Sequence, residues 1–199
     1  MNVLIRIDHT EENYSFASDG HFQSVWESIK NKLNEQNRYI VQVSFNGEVQ
    51  SADYEAMMMS RYKEIREIEI VSVSEAQLID DALKDVQSFS GKIVNACDSI
   101  GSLFYGDISA EQWDMARSLL EAVEWVIQSL NGTAKLLSKH PEETDYVAFV
   151  EDIVRSLKRN LADLGTALES EDYLSVGDIM KYELADTFKK LEASILTNR

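Results

Sequence analysis

Apolar side chains in residues 74–199 recur at alternating steps of three and four positions, a spacing that restricts the fold more than any other feature of the chain. The first run comprises Ile79, Leu83, Val86, Ser90, Ile93, Cys97, Ile100 and Phe104, and similar runs cover residues 113–137, 146–168 and 173–195. Such near-heptad seams are typical of helices packed nearly parallel or antiparallel. Because the connections between the runs are short, neighbouring helices must be antiparallel, and an antiparallel four-helix bundle is predicted.

Helix-start signals precede each of these runs. Ser74 and Ser109 are each followed by Gln three residues later, which is the capping-box pattern. Pro141 stands at a first helical position with acidic residues behind it, and Ser170 precedes two acidic residues. Four helices are therefore predicted to begin near these four positions.

Glycines inside the predicted helices weaken the regular pattern, because each costs about 1 kcal/mol relative to Ala in a helix interior. Gly101 lies in the first helix and the pair Asn131-Gly132 in the second. Both residues of that pair favour turns, so a break is predicted there. Gly165 and Gly177 predict a close approach of the last two helices.

The first 73 residues have a different pattern, with short alternating segments and a single amphipathic helix. A polar turn is predicted at residues 9–13, and Asn46-Gly47 is a strong hairpin signal. Val41, Val43 and Phe45 are predicted to face the core of one strand. The predicted elements are strands at 3–7 and 14–18, a helix at 22–33, strands at 41–45 and 48–50, a helical or irregular stretch at 53–62, and a strand at 68–73.

This order of elements resembles the β-grasp fold of ubiquitin-like domains. The chain runs on directly at Val73-Ser74-Glu75 without a di-glycine tail, so the resemblance does not imply conjugation. Another small sheet with one covering helix remains an alternative. The predicted fold class is α+β, with a β-grasp-like domain over residues 1–73 and a helical bundle over residues 74–199.

Charge excludes some classes of partner. The chain has 19 Lys and Arg against 35 Asp and Glu, a formal net charge of −16, and both predicted parts are acidic. Nucleic acids and anionic membrane surfaces require a positive field, so neither is an expected partner. The basic stripe of Arg155, Lys158 and Arg159 is interpreted as a solvated helix face.

The expected compartment follows from Cys97 and from the apolar content. One cysteine cannot form an internal disulfide, and no window of about 18 apolar residues is present for a membrane span. The apolar run in the opening MNVLIRID is too short for the hydrophobic region of a secretory signal. A cytoplasmic protein is therefore expected.

Motifs for catalysis, metals and cofactors are missing from the sequence. Of His9, His21 and His140, none has the Glu-x-x-His or His-Glu-x-x-His spacing of bundle and zinc sites. Phosphate-binding loops and nucleophile elbows are also missing. Cys97 occupies a seam position and is interpreted as a core residue. We expect no catalytic residues, no metal, no cofactor and no enzymatic activity.

Methionines and aromatic residues are the remaining candidates for a binding surface. Met57, Met58 and Met59 are adjacent and cannot all face one core, so they are the predicted partner-binding residues. Core packing is predicted for the aromatic residues of the bundle, namely Trp113, Trp125, Tyr146, Tyr173, Tyr182 and Phe188.

The expected function is a non-enzymatic protein-interaction module, an adaptor, scaffold or chaperone-like protein with a protein partner. The predicted bundle loosely resembles bacterial secretion and flagellar export chaperones, although it shares no motif with them. One alternative is a small-molecule-binding regulatory protein with a pocket between the two parts, and another is an enzyme that uses scattered carboxylates. A homodimer is a further prediction, if a break at Asn131-Gly132 leaves a seam uncovered.

Overall fold

The computed structural model describes residues 2–8, 10–15, 19–50 and 53–197. The chain forms two compact units, Met1–Leu78 and Ile79–Arg199, each with its own hydrophobic core. The first unit contains a five-stranded sheet and the second is helical, so the predicted α+β class is confirmed. The division falls in the first turn of a helix rather than at the predicted position after Val73.

The described residues of the first unit form five strands, two helices and a short 3₁₀ turn. Its elements are β1 (Asn2–Ile7), β2 (Thr10–Ser15), α1 (Asp19–Glu35), β3 (Arg38–Phe45), β4 (Glu48–Val49), α2 (Tyr54–Arg61), a 3₁₀ turn (Tyr62–Glu64) and β5 (Glu67–Ser74). The strand order is β2-β1-β5-β3-β4, with β1 and β5 parallel and the other pairs antiparallel. This arrangement agrees with the resemblance to the β-grasp fold.

The core of the first unit lies between α1 and one face of the sheet. Phe22, Trp26 and Ile29 of α1 are buried, as the helical spacing predicts. Ile68 and Ile70 alternate along β5 and are also buried. The indole Nε1 of Trp26 donates a hydrogen bond of 3.0 Å to Glu55 of α2, which satisfies the polar group of a buried ring.

The second strand differs from its prediction. Residues 10–13 belong to β2 and not to a turn, because Ile7 pairs directly with Thr10 and the hairpin is tight. Asp8 enters the turn with φ of 54°, a left-handed conformation that Asp tolerates. β2 lies at the edge of the sheet, where polar residues are common, so its sequence lacks the apolar–polar alternation that predicts a strand. Phe16, Ala17 and Ser18, the end of the predicted strand, lie outside the described residues.

The third strand carries a bulge that changes which side chains face the core. The pairing of β3 with β5 shifts register between Ile40 and Gln42, so Val41 is 49% exposed instead of buried. The prediction that Val41 faces the core is therefore wrong, whereas it is right for Val43 and Phe45. The Asn46-Gly47 turn is confirmed, since both residues have positive φ and β4 follows at once.

The second unit is the predicted bundle of four antiparallel helices. Its elements are α3 (Glu75–Leu103), α4 (Ala110–Leu137), a 3₁₀ turn (Pro141–Glu143), α5 (Thr144–Glu169), and a last helix made of α6 (Tyr173–Asp178), a π-helical turn (Ile179–Leu184) and α7 (Ala185–Ser194). Every residue of the predicted α3 seam is buried. The hydroxyl of Tyr146, near the start of α5, donates a 2.6 Å hydrogen bond to the carbonyl of Ile195, so these two helices are antiparallel.

Three of the predicted helix starts fit the structure and one is wrong. Ser109 forms the complete capping box with Gln112, and the hydroxyl of Ser74 accepts a hydrogen bond of 3.2 Å from the backbone of α3. Pro141 begins the 3₁₀ turn that leads into α5. Ser170 instead ends α5, and Asp172 caps the last helix by accepting from the backbone of Ser175. The carboxylate of Asp172, at the end of the loop, therefore provides the cap.

The predicted break at Asn131-Gly132 is also wrong, because α4 is continuous from Ala110 to Leu137. Both residues of the pair are exposed, and the opposite face of the helix is held in the core by Leu130 and Ala134. Packing of an amphipathic face thus outweighs local turn preference. The irregular stretch lies instead at Ile179–Leu184, where the helix becomes π-helical.

Glycine does allow a close helix contact, but between α3 and α6. A Cβ on Gly177 would lie 2.8 Å from the carbonyl oxygen of Gly101, so the two backbones touch at this point. A Cβ on Gly165 would meet nothing within 4 Å. The predicted close approach of the last two helices is therefore wrong at both glycines, because Gly177 contacts α3 instead and a Cβ on Gly165 would contact nothing.

Candidate functional site

An open groove runs along the second unit between α3 and α4. Its volume is about 530 Å³, and its walls are formed almost entirely by apolar atoms. We call it the α3–α4 groove. The residues that line it are Phe89, Lys92, Ile93, Ala96 and Ile100 of α3 and Glu111, Asp114, Met115, Ser118, Leu119 and Ala122 of α4.

Two aromatic pairs join α3 to α4, one near each end of the groove. The rings of Phe89 and Trp125 lie 5.0 Å apart, and those of Phe104 and Trp113 lie 5.3 Å apart in an edge-to-face arrangement. Phe89 lies on α3 and Phe104 directly follows it, whereas both tryptophans belong to α4. These pairs therefore also establish that the two helices are antiparallel. Large rings at both ends hold the helix axes apart.

Small side chains lie between the two aromatic pairs. Ala96 faces the groove from α3, and Ser118 and Ala122 face it from α4. They do not fill the space that the rings create, so a channel remains above the floor. The floor itself contains buried residues such as Ile93 and Leu119, which belong to the bundle core. The groove is therefore a consequence of large residues at its ends and small residues at its centre.

Several large apolar side chains of the groove region are in contact with solvent. Phe89 is 40% exposed, Met115 is 47% exposed and Trp125 is 40% exposed. A contiguous exposed patch of this kind marks a binding surface more often than an isolated apolar residue does. The flexible thioether of Met115 suits a surface that adapts to a partner.

Charged side chains surround the apolar channel. Glu111 and Asp114 lie on the α4 side, and Asp114 forms a 3.2 Å ion pair with Arg117. On the α3 side the ammonium of Lys92 lies 4.9 Å from the centre of the Phe89 ring, within the range of a cation–π contact. Together α3 and α4 contain nine acidic and four basic residues, so the field around the groove is negative.

The methionines that were predicted to bind a partner lie elsewhere, in the first unit. Met58 is fully buried, and Met59 packs partly buried against the same core. Met57 is half-buried and lines a cavity of about 260 Å³ together with Phe45 and Ile65. Because Met58 is inaccessible, only its two neighbours can touch a partner directly. Their role in partner binding stays a prediction.

Sequence reasoning assigned Trp125 to the core and did not consider Met115, so it missed the groove. Tyr146 and Phe188 are buried as predicted, but core packing is wrong for Trp125, and also for Tyr173 and Tyr182. A signal was present in the spacing. On α4 a second stripe with the same alternating steps, Met115, Ser118, Ala122 and Trp125, runs beside the main seam. On α3, Phe89 and Ala96 extend the seam residues Ile93 and Ile100 towards the same side.

Groups with strongly shifted pKa values lie outside the groove. Burial raises the pKa of the Cys97 thiol to about 12, so the residue is a neutral core side chain. The pKa of Tyr105 rises to about 12, chiefly because its hydroxyl donates a hydrogen bond to the carboxylate of Asp178. Neither arrangement resembles an activated nucleophile.

The structure shows where two of the three histidines lie and allows a check for metal sites and membrane spans among the described residues. Nδ1 of His140 lies 3.8 Å from a carboxylate oxygen of Glu142, and His21 is exposed on α1, whereas His9 is outside the described residues. No described group of three or more His, Cys, Asp or Glu side chains is arranged to hold a metal ion. Among the described helices, none has both the length and the apolar content to cross a membrane.

Comparison with known proteins points to the helical unit. The family model described as "Domain of unknown function (DUF8042)" matches residues 81–194. The matched region contains every residue that lines the α3–α4 groove. No curated protein and no solved structure matches the chain.

Proposed function

Because the chain belongs to the family described as Domain of unknown function (DUF8042), whose model spans the groove, we propose that this region is a protein-interaction module. It acts as a non-enzymatic adaptor, scaffold or chaperone-like protein, and it binds a helical segment of a protein partner in the α3–α4 groove. We also propose that it acts in the cytoplasm, since its single cysteine is a free buried thiol.

The exposed apolar lining of the groove is the observation that carries this proposal. The groove is an open channel bordered by two helices. Sites for small molecules usually enclose most of the ligand surface, which an open channel does not do. A groove between antiparallel helices instead suits an amphipathic helix, which lays its apolar face onto the floor.

The length of the groove fits a short helix. Its α3 wall extends from Phe89 to Ile100, which corresponds to about 16 Å at the rise of an α-helix. A partner helix of about three turns would cover this distance and present apolar residues at positions i, i+3 or i+4, and i+7. The small side chains Ala96, Ser118 and Ala122 leave room for such residues at the centre.

A comparative pull-down from cells of the native organism tests the proposal. The bait is the full chain in three forms: wild type, Met115→Glu, and Leu174→Glu as a matched control. Leu174 is exposed, apolar and outside the groove, so its substitution makes the same change in charge. A charge at Met115 would be buried by any occupant of the groove, which strongly opposes binding.

The expected result is a stoichiometric partner that is recovered with the wild type and with Leu174→Glu and is lost with Met115→Glu. Circular dichroism establishes that both variants retain their helices. A partner profile that is the same for all three baits, or the recovery of no partner by the wild type, would overturn the proposal.

A further inference from the structure

The charges around the groove indicate what kind of helix it binds. Glu111 and Asp114 line the groove on its α4 side. Two of the four basic residues on α3 and α4 are already paired with acids of their own helix, Lys84 with Asp80 and Arg117 with Asp114. On its α3 side the groove is lined by one cation, Lys92, so its lining residues comprise two acids and one base. An incoming helix therefore meets an apolar floor whose charged border is acidic on the α4 side and negative in sum.

We infer that the occupant of the groove is a basic amphipathic helix, an inference that rests on the proposed function. Its apolar face covers Met115, Ile93 and Leu119, and its Lys or Arg side chains lie over Glu111 and Asp114. The formal net charge of −16 draws a basic segment towards the protein and speeds encounter. Apolar contacts hold the helix in place, and the acidic border selects its charge.

A second copy of this chain fits the groove less well than a basic helix. Each copy carries the same net charge of −16, so two copies repel one another. The acidic border would also meet acidic helix faces, and like charges in juxtaposition oppose association. The structure therefore favours a partner of opposite charge.

Three synthetic helical peptides with an identical leucine face test this inference. Their polar positions carry Lys, Gln or Glu, respectively, and their affinities for the full chain are measured by calorimetric titration at low and at high salt. We expect the Lys peptide to bind about tenfold more tightly than the Gln peptide at low salt, an advantage that salt reduces. The Glu peptide should bind most weakly.

Met115→Glu separates docking in the groove from simple attraction between opposite charges. This variant is more acidic than the wild type, so non-specific attraction of the Lys peptide would become stronger. Docking predicts the opposite, a loss of affinity of about tenfold or more, because the new charge meets the leucine face. Affinity that is unchanged or increased in Met115→Glu would overturn the inference.

A second pair of variants tests the acidic border itself. Glu111→Gln/Asp114→Asn should weaken binding of the Lys peptide about threefold, since exposed ion pairs contribute little each. Binding of the Gln peptide should stay unchanged. The control Glu151→Gln/Asp163→Asn makes the same change in charge at exposed positions of α5. If the control weakens binding as much as the border variant does, the acidic border does not select the helix.

The outcomes separate this inference from the proposed function. If the pull-down yields a partner that depends on Met115 but the three peptides bind equally well or not at all, the partner is not a basic helix and only this inference fails. If no partner depends on Met115, the proposed function fails as well. A concentration-dependent dimer in light scattering that Met115→Glu abolishes would identify a second copy as the occupant and overturn the inference.

Discussion

Two pairs of helices in the bundle pack differently: α5 with the last helix, and α3 with α4. Between α5 and the last helix, side chains interlock and even polar groups are buried, as in the 3.2 Å hydrogen bond from the amide of Asn160 to the hydroxyl of Thr187. Between α3 and α4, two aromatic pairs hold the helices apart and a groove remains. All four helices nevertheless have near-heptad seams.

This difference teaches that a seam pattern reports which face of a helix packs, and not how closely the helices approach. Closeness depends on the size of the side chains beside the seam. Aromatic residues near the ends of the α3–α4 groove and small residues at its centre keep a surface open. An exposed apolar surface contributes little to the stability of the fold, so its presence fits a role in binding.

The largest expected contrast comes from one substitution made in both regions. Phe188→Ala should reduce the free energy of unfolding by about 3–5 kcal/mol, because Phe188 is fully buried beside α5 and its loss leaves a cavity. Phe89→Ala should reduce it by only about 1 kcal/mol, chiefly through loss of the aromatic contact with Trp125. Urea denaturation followed by circular dichroism measures both changes. Equal losses of stability in the two variants would contradict the distinction between the tightly packed contact of α5 with the last helix and the open contact of α3 with α4.

Glycine substitutions provide a second contrast, of intermediate size. Gly177→Ala should lower the free energy of unfolding by about 1–3 kcal/mol, since the new methyl group meets the backbone of Gly101. Gly132→Ala should raise it by about 0.5–1 kcal/mol, because Gly132 is exposed in a continuous helix with open space around it.

Thermal denaturation of the two glycine variants checks these opposite signs. A stabilising Gly177→Ala would show that α3 and α6 are not in backbone contact in solution. A destabilising Gly132→Ala would instead support the predicted break in α4 that the structure does not contain.

A smaller loss of stability is expected from Tyr146→Phe, which removes one buried hydrogen bond between α5 and the end of the last helix. The carbonyl of Ile195 loses the hydroxyl that donates to it, at a cost of about 1–2 kcal/mol in the free energy of unfolding. Met115→Gln in the α3–α4 groove should change the free energy of unfolding by less than about 0.5 kcal/mol, because an exposed side chain contributes little to stability. Calorimetric unfolding of the two variants gives the comparison, and a larger effect for Met115→Gln would reverse it.

Sequence periodicity was sufficient for most of the fold. The α3 seam from Ile79 to Phe104 and the buried alternation of β5 follow directly from helix and strand geometry. Features that depend on contacts between elements could not be predicted in this way. Examples are the bulge that exposes Val41 and the packing that keeps α4 continuous through Gly132.

The candidate site was only partly accessible from the sequence. Trp125 follows the same alternating steps as core residues, so periodicity alone assigned it to the core. The second stripe on α4 could have indicated another surface, but its exposure depends on how far apart α3 and α4 lie. The contacts between these helices, such as Phe89–Trp125 and Phe104–Trp113, pair residues distant in sequence.

Thiol chemistry compares the buried core of the bundle with the α3–α4 groove and requires the smallest change to the fold. Burial raises the pKa of Cys97 to about 12, so the thiol stays protonated and should react with a disulfide reagent only upon unfolding, with no rise in rate between about pH 7 and 9. In Cys97→Ala/Met115→Cys the thiol lies in the groove, and its rate should rise through a pKa of about 8.5. Stopped-flow absorbance measures both rates. Rapid labelling of Cys97 in the folded wild type would mean that the bundle core also opens to solvent.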